Sequence, residues 1–170
     1  MTGKGIDHDF HDLRIRRAAL ADAQETTALV NRAFRVERFF VDGDRIDIER
    51  VRALMEKGIF LLAEDTAGLA GCVYVELRGE RGYFGLLAVE PSRQRRGLGR
   101  RLAQEAEEYA RAAGCLVMDI MTVNVRTELP PIYRKMGYVE TGTAPFPVEV
   151  RSKLPCHFVV MSKPLVGGNS

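Results

Sequence analysis

The most constraining feature of this sequence is a strand–loop–helix–strand unit that spans residues 86–123. An apolar strand ends at Val89, and a loop with two glycines and several arginines follows it. The loop leads into residues 98–113, where apolar side chains recur on one helical face. A nearly continuous apolar run over 115–123 predicts a buried strand. Two strands joined through a helix form a right-handed crossover, so we expect these two strands to be parallel.

The loop between the first strand and the helix has the chemistry of an anion-binding site. It reads Gln94-Arg95-Arg96-Gly97-Leu98-Gly99, and it directs backbone N–H groups and the positive end of a helix at one point. Glycine lacks a Cβ atom, so a phosphate can approach the backbone closely. We therefore expect a phosphate-bearing ligand, and the alternative is a tight turn whose arginines face water.

Two common phosphate-loop patterns are excluded by the residues around this loop. The Walker A pattern needs Gly-Lys-Ser or Gly-Lys-Thr, but Arg100 and Arg101 follow Gly99. The dinucleotide fingerprint needs a third glycine where Leu102 stands. The pattern that remains is Gln/Arg-x-x-Gly-x-Gly/Ala, which occurs once in the chain.

The remaining hydrophobic patterns predict an α/β (α+β) fold with a mixed, mostly antiparallel sheet of six or seven strands and about four helices. Asp22 and Glu25 have the spacing of a capping box, and Gly58 is placed to end the second helix. Residues 35–44 show no period and are predicted to be a loop. The predicted segments are a strand at 13–15, helices at 22–34 and 47–57, antiparallel strands at 59–64, 70–77 and 82–89, a short helix at 130–136, a strand at 138–141, and a strand at 157–163 that closes the sheet.

Length and charge limit the class of protein. The chain has 170 residues, with 25 Lys and Arg against 23 Asp and Glu, so we expect one domain over 1–170 with a core at about 12–164 and flexible ends. The balanced charge argues against a nucleic-acid binder, and no apolar run is long enough for a membrane span. Without a signal peptide, the expected location is the cytoplasm. Three separate cysteines are expected to fill the core: Cys72, Cys115 and Cys156.

Three further motifs accompany the loop. Leu87-Ala88-Val89-x-Pro91 precedes it, Asn124 follows the next strand, and the chain continues with Tyr133-Arg134-Lys135-Met136-Gly137-Tyr138. Together they resemble the GNAT superfamily of acyl-CoA-dependent N-acyltransferases, whose fourth strand, loop and Tyr-x-Lys-x-Gly-Phe/Tyr ending follow this order. The resemblance covers about residues 84–142, and one departure is that residues 127–132 replace the family's alanine-containing turn.

The resemblance implies a binding mode for acetyl-CoA. Its pyrophosphate is expected on the backbone N–H groups of residues 95–100. Its pantetheine arm is expected where the parallel strands splay apart, at 86–89 and 120–123, paired with Leu87 and Val89. An N–H near Leu87 is expected to polarise the thioester carbonyl. The implied cofactor-binding residues are Leu87, Ala88, Val89, Gln94, Arg95, Arg96, Gly97, Leu98, Gly99, Arg100, Asn124 and Tyr133.

The implied reaction is direct attack of a primary amine on the thioester. An alkyl amine with a pKa of about 10.4 must first lose a proton, and the departing thiolate benefits from a proton donor. Tyr133 is the candidate acid, although it is also interpretable as a core tyrosine. Glu76 is the candidate base, with an outward or salt-bridged carboxylate, or a chain of waters, as the alternative.

The acceptor is predicted only as a class, the primary amine of a small molecule or a peptide. The segment with Arg35, Phe39 and Phe40, and the segment around Phe146, are expected to line the acceptor side, or else to cover the core or form a dimer contact. No metal is expected. The His-x-x-His spacing of residues 8–11 has no further ligand nearby.

Three functions compete at this stage. The first is an acetyl-CoA-dependent N-acetyltransferase. The second is a non-catalytic acyl-CoA-binding regulatory module that kept the loop. The third is an RNA-binding protein, which ranks last because no aromatic residue interleaves with residues 93–101. A homodimer is an expectation from the resemblance alone.

Overall fold

Seven strands form one mixed sheet in a computed structural model that describes residues 12–165. The expected flexible ends and the histidines at positions 8 and 11 lie outside these described residues. The strands are β1 (Arg14–Arg17), β2 (Ile59–Asp65), β3 (Gly68–Arg78), β4 (Arg81–Val89), β5 (Val117–Val123), β6 (Val139–Pro145) and β7 (His157–Pro164). The α-helices are α1 (Ala23–Ala33), α2 (Ile48–Lys57), α3 (Leu98–Ala112) and α4 (Leu129–Lys135). Short 3₁₀ helices lie at Leu20–Asp22, Phe34–Phe39 and Pro91–Arg93.

The strand order is β1-β2-β3-β4-β5-β7-β6, and only β4 and β5 pair in parallel. The predicted mixed, mostly antiparallel sheet is therefore confirmed. The prediction that the last strand closes the sheet is wrong, because β7 lies between β5 and β6. The physical reason is burial. Met161 of β7 is buried in the core, whereas nearly every residue of β6 is exposed, as suits an edge strand.

Each face of the sheet packs against different helices, so the strands are buried on both sides. The face under α3 holds buried residues that include Val73, Val75, Phe84, Leu102 and Ala106. The opposite face packs against α1 and α2 through residues that include Leu29, Val51, Phe60, Leu62 and Tyr74.

The predicted capping box at the start of α1 is wrong. Asp22 occupies the N-cap position of α1, but its side chain makes no capping hydrogen bond there. Its carboxylate instead accepts two hydrogen bonds of 2.9 Å from the Arg16 guanidinium and one of 2.7 Å from the Ala19 N–H. A bidentate bond to a cation is stronger than a bond to a neutral amide, so the arginine determines the orientation of this carboxylate.

Two smaller predictions also need correction. Residues 35–44, predicted to be a loop, include most of the 3₁₀ helix Phe34–Phe39. Cys156 is partly exposed and does not belong to the core, unlike Cys72 and Cys115.

The prediction that Gly58 ends α2 is confirmed. Gly58 is the C-cap residue in an extended conformation, and a Cβ atom there would collide with the Val75 carbonyl oxygen and the Tyr74 ring, so close packing requires a glycine.

Candidate functional site

The parallel strands β4 and β5 separate in the middle of the sheet. Residues 81–83 pair with residues 117–119, and no further pair joins these two described strands. Two 2.7 Å hydrogen bonds from the Arg81 guanidinium to the Asp119 carboxylate hold the strands together at this point. Beyond it, residues 84–89 and 120–123 form the two sides of a cleft, as the sequence predicted.

Strand β4 carries a β-bulge inside this cleft. Cys72 pairs with Ala88 and Tyr74 pairs with Gly85, so two residues of β4 lie opposite one residue of β3. Leu86, within the bulge, has a φ of 50°, a left-handed conformation that is strained for leucine. Nothing in the local sequence signals this bulge, because its cause lies in the pairing of two strands.

The thiol of Cys72 fixes the orientation of the bulged peptide. Its Sγ atom donates to the Leu86 carbonyl at 3.6 Å, and burial raises the pKa of Cys72 to about 12, which keeps the proton on sulfur. In a trans peptide the N–H points opposite to the carbonyl. Because the Leu86 carbonyl points toward the Cys72 thiol, the Leu87 N–H of the same peptide points away from that thiol.

The glycine–arginine loop, residues 94–99, follows the carboxyl end of β4 and runs into the start of α3. Gly97 is the N-cap residue, with a φ of 83°, and no side-chain hydrogen bond caps this helix end. The first N–H groups of a helix have no acceptor within the helix. A Cβ atom added at Gly97 would meet nothing within 4 Å, and one at Gly99 would reach only the Val89 side chain at 3.7 Å. The backbone at these two glycines is therefore open to close approach by a ligand.

The arginines of the loop divide into two groups. Arg93 forms an ion pair with Asp65 at the β2–β3 turn, so it anchors the base of the loop. Gln94 assists by donating to the Val89 carbonyl at 3.1 Å. The remaining arginines at the start of α3 have exposed side chains: Arg95, Arg96, Arg100 and Arg101. This arrangement leaves cationic side chains around the helix N-terminus.

Tyr133 lies on α4 with its ring against the aromatic side chains that border the cleft. Its ring centroid is 6.2 Å from that of Phe84 on β4 and 5.9 Å from that of Tyr138. Burial raises the pKa of Tyr133 to about 12, although the nearby Arg126 guanidinium lowers it in part. The phenol is therefore protonated at neutral pH and available as a donor.

Glu76 is salt-bridged, which is the alternative that the sequence left open. Its carboxylate accepts from the Tyr74 hydroxyl at 2.8 Å and from the Arg78 Nε at 2.9 Å. Burial acts to raise the pKa of Glu76, but these two hydrogen bonds outweigh it and leave the pKa below its ordinary value. A carboxylate stabilised in this way is a weak base, so the geometry does not favour Glu76 as the proton acceptor.

Asn124 contacts the chain that enters β7. Its Oδ1 accepts from the His157 N–H at 2.8 Å, and its Nδ2 donates to the Pro155 carbonyl at 3.4 Å. Both ends of the amide therefore bind backbone, which gives Asn124 a structural role. A cofactor contact from its side chain stays a prediction.

The two segments expected on the acceptor side meet each other. Val41 forms a β-bridge with Ser152, and the Lys153 N–H donates to the Phe40 carbonyl at 2.7 Å. Phe40 is buried and belongs to the core, whereas Phe39 is half exposed. Core packing, the alternative reading, thus holds for one of the two phenylalanines.

Thr122 is a polar residue of the cleft that sequence reasoning missed. It lies on β5, where its neighbours at alternate positions, Met118 and Ile120, face α3. Its Oγ1 is buried and lacks a hydrogen-bond partner among the residues that the structure describes. A buried hydroxyl without a partner is costly, and a ligand in the cleft would offer it one.

A buried ionic network supports the aromatic residues next to the cleft. Glu107, on α3, is almost fully buried, and its carboxylate accepts from the Tyr138 hydroxyl at 2.8 Å and from the Lys163 Nζ at 2.8 Å. Tyr138 in turn packs edge-on against Phe84 and Tyr133. The network thus joins α3 and β7 to the ring of Tyr133. It is not predictable from sequence patterns, because its members are far apart in the chain.

Within residues 12–165, no group of three or more His, Cys, Asp or Glu side chains is placed to hold a metal ion. None of the described helices is long and apolar enough to cross a membrane.

A family model described as an acetyltransferase (GNAT) domain matches residues 56–140, half of the chain. The match contains the bulged strand, the cleft, the glycine–arginine loop and α4. The chain belongs to the GNAT acetyltransferase family.

Individual relatives agree with this assignment. An IAA acetyltransferase of Azospirillum brasilense is 31% identical over 85 residues, which cover 49% of this chain and 56% of that protein. The chain thus aligns with about half the length of this curated relative. The ribosomal-protein-S18-alanine N-acetyltransferase from Escherichia coli has a TM-score of 0.73 at 15% identity, over 93% of this chain and 98% of the other.

A second solved structure, yncA from Salmonella typhimurium with its cofactor acetyl-CoA, has a TM-score of 0.72 at 20% identity. The match covers 94% of this GNAT chain and 98% of the other. At these identities the structural likeness concerns the fold. The fold is therefore that of GNAT proteins across nearly the whole of the described sequence.

Proposed function

We propose that this GNAT protein is an acetyl-CoA-dependent N-acetyltransferase that acts on the primary amine of a small molecule or a peptide. The observation that carries the proposal is the cleft between β4 and β5, with the glycine–arginine loop at its end. Family membership supplies the reaction class. The cleft and the loop support the proposal that the carrier binds along β4.

The residues of the cleft fit acetyl-CoA in three respects. The N–H groups of the loop and the start of α3 suit a diphosphate. The unpaired edge of β4 beyond residue 83 can form backbone hydrogen bonds with an extended, amide-containing arm. The orphaned Thr122 hydroxyl offers one further polar contact. Acetyl-CoA supplies an acetyl group activated as a thioester.

The Leu87 N–H is the residue contact closest to the chemistry in this proposal. A backbone N–H held in a fixed direction stabilises negative charge that develops on a carbonyl oxygen. The rigidity comes from the bulge and from the Cys72 thiol, which hold the peptide in one orientation. No reorganisation of this donor is needed when an amine attacks.

Tyr133 is proposed as the hydrogen-bond donor to the departing sulfur. Its pKa of about 12 is higher than that of a free thiol, around 8.5, so complete proton transfer from the phenol alone is unfavourable. The proton that the amine loses on acylation balances the reaction, since it replaces the proton given to sulfur. Tyr133 then acts as a relay, with a water or a base on the acceptor side as the first proton acceptor.

A ligand-stability experiment tests the binding step. A ligand that binds only the folded state at about 100 times its Kd stabilises by about 2.7 kcal/mol. For a chain of this length we expect acetyl-CoA and CoA to raise the Tm by about 5–10 °C. NAD and ATP serve as controls. Stabilisation by NAD without any effect of CoA would contradict the proposal.

Replacement of Tyr133 by phenylalanine tests the chemical step. We expect Tyr133→Phe to lower kcat by about 10²-fold or more, because the donor to sulfur is lost, while the Kd of acetyl-CoA stays within about twofold. Tyr109→Phe, on α3 and packed against the core, is the matched control. An unchanged kcat in Tyr133→Phe would remove Tyr133 from the mechanism. A wild-type protein that binds acetyl-CoA but turns over no amine in a free-thiol release assay would instead be a regulatory module.

A further inference from the structure

The α1–α2 side of the cleft has its own polar lining, distinct from the α3 side that receives the carrier. Tyr83 lies at the end of the β4–β5 pairing. Its hydroxyl occupies the space beside Gly85, 2.5 Å from where a Cβ atom would stand. Tyr83 also contributes to the raised pKa of Tyr133.

Two arginines on the α1–α2 side lie over aromatic rings. The Arg78 guanidinium lies 4.5 Å from the centroid of the Tyr83 ring, and the Arg45 guanidinium lies 5.5 Å from that of Phe34. Both guanidiniums influence the pKa of Tyr83, which burial raises and the two cations partly lower. Phe34 and Tyr83 pack against the same buried cluster on the α1–α2 side, so the two guanidiniums above them lie on the same side of the sheet.

The charged groups beside Tyr83, at the mouth of the cleft on the α1–α2 side, lie at two depths. Glu76 pairs with Arg78 at 2.9 Å, and Glu37 lies 3.9 Å from Arg45. The carboxylate side chains are only 16% and 14% exposed, whereas the arginine side chains are 53% and 43% exposed. The cations thus face outward, and the anions lie beneath them.

Arg126 belongs to the same ionic cluster. Its mostly buried guanidinium contacts Glu37 at 3.2 Å and Glu128 at 2.7 Å. The Glu37 carboxylate lies closer to Arg126 than to Arg45, from which it is 3.9 Å away, so the pairing of Arg45 is the looser one. An incoming anion finds guanidinium groups with hydrogen-bonding capacity left over, because each guanidinium carries five N–H donors.

We propose that the acceptor is a small amine that also carries a carboxylate, and that Arg45 and Arg78 bind this carboxylate. Guanidinium groups recognise carboxylates through paired, charge-assisted hydrogen bonds. A polycationic acceptor would meet like charge at the mouth, and an uncharged aromatic amine would leave both arginines unused. This inference rests on the proposed acetyltransferase function and defines its substrate class.

The test compares three forms of the same amine with acetyl-CoA as donor: an α-amino acid, its amide, and the amine that remains after decarboxylation. Several side chains, aromatic and aliphatic, are used in each form. We expect kcat/KM for the free acid to exceed that of both other forms by at least about 10-fold. Equal or better use of the amide or the decarboxylated amine overturns the inference, as does the absence of any acetylated carboxylate-bearing amine.

Two variants connect the preference to the arginines. In Arg45→Gln and Arg78→Gln, we expect KM for the free acid to rise at least about 10-fold, with kcat, the KM of the amide and the Kd of acetyl-CoA unchanged. Arg111→Gln, at the far end of α3 and 41% exposed, is the matched control and should behave as wild type. A uniform loss for acid and amide would assign the arginines a structural role and refute the proposal.

The two proposals fail in different ways. If acetyl-CoA does not stabilise the wild-type protein, the proposed function itself is wrong. If acetyl-CoA binds and amines are acetylated without preference for a carboxylate, only the substrate class is wrong.

Discussion

A side chain in the cleft can destabilise the ligand-free protein and still favour ligand binding, and Thr122 is an example. Its buried Oγ1 has no partner in residues 12–165. We expect Thr122→Val, of nearly equal volume, to raise the free energy of unfolding of the ligand-free protein by about 1 kcal/mol. The same change should weaken acetyl-CoA binding several-fold, because the ligand loses a hydrogen bond.

Thr26→Val is the control for this prediction. The Thr26 hydroxyl is buried too, but it donates to the Asp22 carbonyl at 2.8 Å, so its loss should destabilise the protein and leave acetyl-CoA affinity unchanged. Urea unfolding and calorimetric titration measure the two quantities. An unchanged acetyl-CoA Kd in Thr122→Val would place this hydroxyl outside the ligand site.

Cys72 acts at the same scale through the peptide that it orients. We expect Cys72→Val to lower kcat about tenfold or more, since the aim of an oxyanion donor is worth up to 10²–10³ in rate, with KM for acetyl-CoA nearly unchanged. Cys72→Ser, which keeps a donor for the Leu86 carbonyl, should retain more of the rate. Infrared spectra of bound acetyl-CoA labelled at the carbonyl carbon report the hydrogen bond directly. A carbonyl frequency identical in wild type and Cys72→Val would refute this role.

Residue-level prediction from the sequence was uneven for a physical reason. The glycine–arginine loop could be identified from the sequence because its proposed function depends on consecutive residues. Thr122, Cys72 and Glu107 were invisible because their roles depend on burial and on partners distant in sequence. Glu76 was predicted as a base, but its hydrogen bonds to Tyr74 and Arg78 became apparent only in the folded strand.

Among the secondary-structure elements, β1, β2 and α1 are joined by one ionic cluster. Arg16 of β1 binds Asp22 at the start of α1 and Glu64 of β2. Hydrogen bonds from Arg16 lower the pKa of Asp22 to about 2, against burial, which acts to raise it. An aspartate in the unfolded chain has a pKa of about 3.9.

The pH dependence of stability follows from this lowered pKa. The stabilisation from Asp22 is fully present above about pH 4 and is lost as the pH falls through about 2. We expect Asp22→Asn to lower the free energy of unfolding by about 1 kcal/mol at pH 7 and to flatten its decline between pH 4 and pH 2. Urea titrations at several pH values measure both effects, with the exposed Asp44→Asn as the control. Parallel pH curves for wild type and Asp22→Asn would contradict the assignment.

Elements as such were largely predictable, and their ends were less so. The hairpins of β2, β3 and β4 followed from short connections. Asp47 is the N-cap residue of α2, and its carboxylate accepts from the Arg50 N–H at 2.8 Å. The start of α1 was misread because a remote arginine claimed the Asp22 carboxylate. Helix propensity and capping rules consider residues within one helical turn, whereas Arg16 lies six residues before Asp22, on β1.

The molecule as a whole is a sheet in two parts. One part contains β1 to β4 with α1 and α2, the other contains β5, β7 and β6, and α3 connects them. The sequence predicted the parallel pair at the junction, because a helical crossover requires it. It did not predict that β7 would lie between β5 and β6. A hydrophobic pattern indicates that a strand is buried, but it does not indicate which strands lie beside it.

The junction itself has a mechanical consequence for turnover. Within the sheet, three residue pairs join the two parts, and the Arg81–Asp119 contact lies at the same place. If the arm of acetyl-CoA lies along the free edge of β4, the bound cofactor temporarily bridges the two parts of the sheet. These bridging contacts form and break in every catalytic cycle, so the release of CoA breaks contacts that stabilise the fold. Tighter bridging would therefore stabilise the sheet and slow product release.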